Sequence, residues 1–344
     1  MTEVKKHSIR VLAILMIAVM MTGMLSIGAG AATKGWVQSN GYWYYYNSSG
    51  TRARSTNSVR PTYGMSCTFD KNGRLITGEV YISGTADYYV QNYSMLRNSW
   101  LSNKESLTTR WYYFGADGNM YRNRVVQIGG AWYCFNGAGQ MEYGGWCSVT
   151  GSSLRYYASS NGQLLKGWQK IGGYWYYLAP GRCTGWLHIG GAYYYLASNG
   201  VMQTGWIRLS GTWYYLNSSG VMQTGWQYIG SSWYYFNSSG AMQTGWLWNN
   251  NHWYYLDTSG SGHMVTGWQY IGSSWYYFNS SGVMQTGWLN LNGNVFYLNS
   301  SGAMVTGWKQ IDGSWYYFNG GGYMLTNTTT PDGYYVNADG VWVP

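Results

Sequence analysis

The feature that most constrains this chain is a tandem repeat. Gly205 to Thr224 reads GWIRLSGTWYYLNSSGVMQT, Gly225 to Thr244 reads GWQYIGSSWYYFNSSGAMQT, and Gly267 to Thr286 repeats the second stretch with Val283 in place of Ala241. A unit of about twenty residues is one supersecondary element, and it buries its apolar face only against its neighbours. The fold of the chain is therefore set by the fold of one unit and the way units follow each other.

Within the unit, Trp206-Ile207-Arg208-Leu209 and Trp213-Tyr214-Tyr215-Leu216 are separated by Ser210-Gly211 and closed by Asn217-Ser218-Ser219-Gly220. Short aromatic and β-branched runs punctuated by Gly or Asn-Ser-Gly predict a β-hairpin, because such turns need the positive φ that Gly adopts freely. A helix would need an apolar period near 3.6 over roughly ten residues, and a Gly every few positions breaks it. An isolated hairpin is marginal in water, so the expectation is an all-β solenoid of stacked two-stranded hairpins, about fourteen of them.

With Gly-Trp as the landmark, the array runs through Trp146, Trp168, Trp186, Trp206, Trp226, Trp246, Trp268, Trp288 and Trp308, in steps of 18 to 22 residues. Decayed copies precede it: Trp36 with Trp43-Tyr44-Tyr45, Trp111-Tyr112-Tyr113-Phe114 with Gly118 and Met120, and Trp132-Tyr133-Cys134-Phe135 with Gly139 and Met141. Fainter ones lie at Cys67-Thr68-Phe69 and around Trp100. The expected organisation is degenerate repeats over 33–144, regular repeats over 145–326 and a closing segment over 327–344. Before them, Lys5, Lys6 and Arg10 precede an uncharged apolar run from Val11 to Ile27 and the small residues Ala29-Gly30-Ala31-Ala32. That order reads as a secretory signal peptide over 1–32, the one part expected to meet the membrane, with an uncleaved anchor as the other reading.

The chain has 22 Trp and 38 Tyr against 7 Phe, and only 9% charged residues, which turns attention to ring faces as the working surface. Charge is uneven. Ten basic and five acidic residues lie between Arg52 and Arg124, a local net of +5, whereas Arg208, Lys309, Asp257 and Asp312 cancel from Val201 to Thr326. Outside a bacterial cell, a basic half points to phosphate-rich wall polymer rather than nucleic acid, or it is simply a solvated face. Cys67, Cys134, Cys147 and Cys183 admit three pairings and show no metal-ligand spacing; Cys134 replaces the second Tyr of its unit, which reads as drift to a small buried hydrophobe. His188, His252 and His263 are each isolated, so no metal and no cofactor are expected. Glu142 is the last Glu of the chain, and the regular repeats offer no carboxylate pair for glycoside hydrolysis.

Side chains alternate along a strand, so Trp213 and Tyr215 share one face and Tyr214 takes the other. Stacking hairpins then makes a column of concave sites walled by two or three rings, with Met222 or Met242 as a soft floor. Aromatic boxes without a nearby carboxylate suit a cation that donates no hydrogen bond, such as a quaternary ammonium, at roughly 0.5 to 2 kcal/mol per good ring contact. Packing of the same rings as solenoid core is the competing use.

The unit TGWxxxxGxWYYxNSSGxMQ, as in Thr204 to Gln223, resembles the cell-wall-binding (choline-binding) repeat of exported proteins from Gram-positive bacteria and their phages. The tail from Thr330 to Trp342 is similar to the closing segment of such arrays. The resemblance implies a secreted protein of the cell surface whose ligand is choline on teichoic acid, seated between consecutive units. Carried over residue by residue, it gives cages of Trp168, Trp175 and Tyr195; Trp206, Trp213 and Tyr235; Trp226, Trp233 and Tyr255; Trp246, Trp253 and Tyr277; and Trp268, Trp275 and Tyr297. Tyr193, Val295 and Arg155 replace the second Trp after Trp186, Trp288 and Trp146, which weakens those three sites.

The expected function is non-catalytic binding of choline-substituted wall polymer. Related aromatic repeats also occur in glucan-binding proteins and toxins, so a glucan or host glycan is the second expectation, with Asn249-Asn250-Asn251, Asn290 and Asn292 to meet hydroxyls. A third is a lytic enzyme whose catalytic domain hides within 51–124.

Overall fold

The structure is a computed structural model, and it describes residues 35–54, 67–82, 86–91, 94–105 and 108–344. The expected signal segment lies outside them, as does part of the 51–124 stretch. The described residues are all-β: antiparallel hairpins in series, falling into one unit up to Lys166 and another from Gly167 to Pro344.

In the C-terminal unit, eight hairpins follow one another, from Gly167–Ile171 paired with Tyr174–Leu178 to Gly307–Ile311 paired with Ser314–Phe318. A three-stranded sheet of Thr328–Thr329, Tyr335–Val336 and Trp342–Val343 closes it. The register of Gly205–Leu209 on Thr212–Leu216 sets Trp206 against Tyr215 and Arg208 against Trp213. Its two-residue turn has φ of 48° at Ser210 and 88° at Gly211, the geometry of a type I′ turn, whose twist matches that of the flanking strands. The next turn is tied by Asn217, whose side-chain oxygen accepts the N–H groups of Ser219 and Val221 at 2.9 and 3.0 Å. That is why Asn recurs at 237, 279 and 299.

Two devices join a hairpin to the one before it. The backbone N–H of Met222 donates to the carbonyl of Tyr193, that of Met242 to Trp213, that of Met304 to Trp275 and that of Met324 to Val295. Because the bond uses only backbone, it survives the replacement of Trp by Tyr193 or Val295. The methionine side chain then lies under the following turn: a Cβ on Gly240, whose φ is +79°, would stand 2.3 Å from Met222 Sδ. Gly is required there by both conformation and space. The core is the last residue of each second strand. Leu196, Leu216, Phe236, Leu256, Phe278, Leu298 and Phe318 are fully buried, each contributing about 1.5–3 kcal/mol of apolar burial.

In the N-terminal unit, the hairpin of Gly35–Ser39 and Tyr42–Tyr46 precedes a four-stranded sheet of Thr68–Phe69, Leu75–Ile82, Ala86–Gln91 and Ser94–Met95. Hairpins Ser99–Glu105 with Thr108–Phe114, Arg124–Ile128 with Ala131–Phe135, and Gly145–Cys147 with Tyr156–Ala158 follow. The decayed copies therefore do form hairpins. Cys134 and Cys147 lie in one buried cluster with Tyr156, Ala158 and Leu164, and their thiols are hydrogen-bonded to each other. That bond, and then burial, push the Cys147 thiol far above its usual range.

Several arginines of this unit are engaged within it. Arg52 lies over the rings of Tyr44 and Tyr46 at 4.7 and 5.3 Å and donates to the Tyr46 hydroxyl. Arg74 lies 4.8 Å over Tyr42 and pairs with Asp70 at 2.6 Å. Arg97 and Arg122 donate to the carbonyls of Ala116 and Gly137. These arginines stitch turns and cover rings.

Candidate functional site: aromatic cages between hairpins

Each hairpin of the C-terminal unit has a forward face and a rear face. Trp206, Trp213 and Tyr215 are forward: Trp206 meets Trp213 at 6.1 Å and 87°, and Tyr215 at 5.2 Å and 64°. The next hairpin brings its rear face to them, and that face carries Tyr234 and Phe236, whose centroids lie 4.9 and 5.6 Å from Trp206. The two indoles stand nearly perpendicular and the incoming tyrosine closes a third side.

This places the predicted residues as follows. The tryptophans Trp206 with Trp213, Trp226 with Trp233, Trp246 with Trp253, and Trp268 with Trp275 come together at 6.1–6.5 Å and 86–87°. The predicted third rings do not reach across. Tyr195, Tyr235, Tyr255, Tyr277 and Tyr297 each pack on the Gly-Trp tryptophan of their own hairpin, at 5.1–5.2 Å. The ring that crosses to the preceding hairpin is one residue earlier: Tyr194 to Trp168, Tyr234 to Trp206, Tyr254 to Trp226, Tyr276 to Trp246 and Phe296 to Trp268, all at 4.9 Å. The cause is the period of two. A ring on the forward face of a hairpin cannot also meet the hairpin behind it, so only the residue of opposite parity can.

The site at Trp168 is an open cavity of about 410 Å³ lined by Trp168, Trp175, Tyr194, Met202, Ser218 and Ser219. It draws on three consecutive repeats. Met202 is the residue whose N–H bonds the Trp175 carbonyl at 2.9 Å and whose side chain underlies Gly220. The same link that stacks the hairpins thus holds a thioether against the cage. No charged side chain lines it. Where the second Trp is replaced, the crossing contact persists without its partner: Trp186 meets Tyr214 at 5.1 Å and Trp288 meets Tyr316 at 4.9 Å.

Two further constellations escaped the sequence reading. In the N-terminal unit, Trp100 meets Trp111 at 6.4 Å and 82° and Tyr133 at 4.9 Å, while the N–H of Met141 donates to the Trp111 carbonyl. These are the ring spacings and the backbone link of the regular cages. The signal was stretched: each strand of the Ser99–Glu105 hairpin is two residues longer than usual, so its tryptophans stand eleven residues apart in place of seven. At the other end, Trp308, Trp315, Tyr334 and Trp342 line a cavity of about 480 Å³, two of them supplied by the closing segment.

The asparagines expected to meet hydroxyls are partly committed. Asn249 accepts from Trp226 Nε1 and donates to the Tyr235 hydroxyl, and Asn290 accepts the Gly293 N–H. His188 stacks on Tyr193 at 4.3 Å.

Comparison with known proteins bears on this geometry. Choline-binding repeat descriptions match 183–224, 223–266, 265–306 and 307–342, and a putative cell wall binding repeat matches 34–51, 110–120 and 166–180. The solved structure of CbpJ from Streptococcus pneumoniae TIGR4 is 37% identical, covers 71% of this chain and 100% of its own, and superposes with a TM-score of 0.57. The chain belongs to the choline-binding repeat family. Among curated proteins, glucosyltransferase-S of Streptococcus mutans serotype c is 29% identical over 143 residues, 40% of this chain and 9% of its own length. Glucosyltransferase-I of Streptococcus downei is 30% identical over 100 residues, 29% of this chain and 6% of its own. This chain spans less than a tenth of either enzyme. What it shares with them is a repeat region, and the matched choline-binding repeats include the stretches that build every regular cage from Trp206 onward.

Proposed function

We propose that this is a cell-surface protein, without catalysis of its own, that holds choline-substituted teichoic-acid-type polymer in the cages between its hairpins. The observation that carries the reading is the cavity at Trp168: two indoles, a tyrosine from the next hairpin and a methionine, with no charged side chain among them. A trimethylammonium group cannot donate a hydrogen bond, so it gains from ring quadrupoles and a thioether what it would not gain from a carboxylate at contact. The cage residues of the proposal are the predicted tryptophan pairs with Tyr194, Tyr234, Tyr254, Tyr276 and Phe296 as their third rings.

One cage is weak, and a polymer carrying many cholines engages several at once. Effective concentration then raises the avidity by about 10²–10⁴ over a single site. Division of labour along the chain is part of the proposal: regular repeats over 145–326 hold the polymer, the closing segment 327–344 caps them, and the degenerate repeats over 33–144 contribute one cage, at Trp100. Export by the segment 1–32 would deliver the chain to the wall.

The test is retention of the protein on an immobilised tertiary amine, followed by elution. Free choline at millimolar concentration is expected to release it and dextran is not. Release by dextran alone would replace choline with a glucan, and cleavage of purified wall by the protein would end the non-catalytic reading.

A further inference from the structure

The last cage differs in kind from the others. The hairpin of Gly307–Ile311 and Ser314–Phe318 is followed by the closing sheet, which supplies Tyr334 as the crossing ring, 5.9 Å and 82° from Trp308. It also adds Trp342, 6.1 Å and 84° from Tyr334. A third indole thus stands where the Trp168 cage has a methionine. The greater difference is a charge. Trp308 Nε1–H donates to Asp332 Oδ2 at 2.8 Å, and Thr330 Oγ1–H donates to Asp332 Oδ1 at 2.7 Å. Both carboxylate oxygens are fixed, one of them at the edge of a cage indole.

The corresponding edge at Trp226 meets the neutral Asn249, at 3.2 Å. The bonds from Trp308 and then Thr330 hold the Asp332 carboxyl below the usual carboxylate range, so it is an anion at neutral pH. An anion accepting the indole N–H acts on a cation over the ring face in two ways. It pushes electron density into the ring, which deepens the negative face, and it attracts the cation through space. It does so from the rim, without the desolvation that a carboxylate inside the cage would suffer.

We propose that Asp332 makes the C-terminal cage a charge-assisted cation site, tighter for choline than the uncharged Trp168 cage and more demanding of positive charge. The inference rests on the reading of the cages as choline sites and adds a ranking to it: the terminal site fills first. Asp332 also serves its own turn, where Gly333 N–H donates to the Thr330 carbonyl at 2.9 Å, so the experiment must separate the two roles.

The experiment is a titration of the full chain, labelled with ¹⁵N at the tryptophan indoles, with choline and with its neutral isostere 3,3-dimethylbutan-1-ol. Trp308→Phe assigns the Trp308 resonance. The Trp308 indole is expected to saturate at about three- to tenfold less choline than the Trp168 indole, and this advantage is expected to shrink on raising salt from about 0.05 to about 0.5 M. Asp332→Asn, which keeps the size and the acceptor, should abolish the advantage and leave the response to the neutral alcohol unchanged. An unchanged Trp308 curve in Asp332→Asn, or equal and salt-independent saturation at the two indoles in the unsubstituted chain, would make Asp332 a turn residue only. The salt series needs no substitution, so it decides the matter if the variant misfolds. Should no indole respond to choline, the cage reading itself falls; a response at Trp168 without the difference at Trp308 overturns the ranking alone.

Discussion

Trp43 and Trp233 occupy the same place in the same motif, yet one is 7% exposed and the other 43%. Around the first, Cys67, Phe69, Leu75 and Val90 form a closed cluster, and Phe69 stacks on Trp36 at 6.0 Å and 25°. The chain's own arginines cover the neighbouring tyrosines, Arg52 over Tyr44 and Arg74 over Tyr42. Around the second, the next hairpin brings Tyr254 to Trp226 at 4.9 Å and 61°, edge to face, and leaves the Trp233 indole open. The motif does not decide whether a ring is core or binding surface. The element that follows it does: an irregular sheet fills the gap with aliphatic and thiol side chains, and another hairpin in register leaves a cup. Where the cup is filled in the N-terminal unit, a protein cation already sits on the ring faces next to it.

The sharpest way to break this contrast is to truncate both indoles. Trp43→Ala should cost about 3–5 kcal/mol, as for removal of a large buried aromatic, and should lower the thermal midpoint of the N-terminal unit measured by circular dichroism. Trp233→Ala should cost less than about 1 kcal/mol while removing one choline site from the titration, because its face is already in water. Equal destabilisation by the two would mean that the regular tryptophans are core. Next in size is Gly240→Ala, where both the left-handed backbone and Met222 oppose a Cβ. A loss of about 1–3 kcal/mol is expected, and Met222→Ala in the same chain should recover part of it in chemical denaturation.

The third comparison is between adjacent tyrosines. Tyr234→Leu should weaken choline at the Trp206 cage by roughly fivefold, the worth of one ring at about 1 kcal/mol, whereas Tyr235→Leu should leave that cage near its original affinity and lower stability instead. The reverse result in competition fluorescence would restore the second tyrosine as the cage ring. Smallest of all is Arg52→Gln. Loss of its two ring contacts should destabilise by about 0.5–1 kcal/mol without adding a choline site, because Trp43 remains enclosed.

The hairpins were legible because their signals are local. Most of the glycines that punctuate the repeats, such as Gly211, Gly220 and Gly240, do take positive φ, and the paired aromatic runs between them admit no helix. The tryptophan pairs were legible for the same reason, as each pair belongs to one hairpin. The third ring was not, although the alternation that separates Tyr214 from Tyr215 already implied it: what approaches a forward face must come from the rear face of the next hairpin. The Trp100 cage was hidden by a lengthened hairpin, and Trp342 by a closing segment that abandons the motif while keeping a ring in place. Nor does counting charges reveal that Arg52, Arg74 and Arg97 of the basic stretch also contact rings and carbonyls of their own unit.

The central claim is that the cups between hairpins are cation sites and the closed hairpin is not. A crystal structure of the full chain saturated with choline tests it most directly. The account predicts a trimethylammonium group against Trp168, Trp175 and Tyr194, others at the equivalent cages including Trp100 with Trp111 and Tyr133, and none beside Trp36 and Trp43. Empty cages at saturation, or choline ordered only on the tyrosine faces outside them, would contradict it.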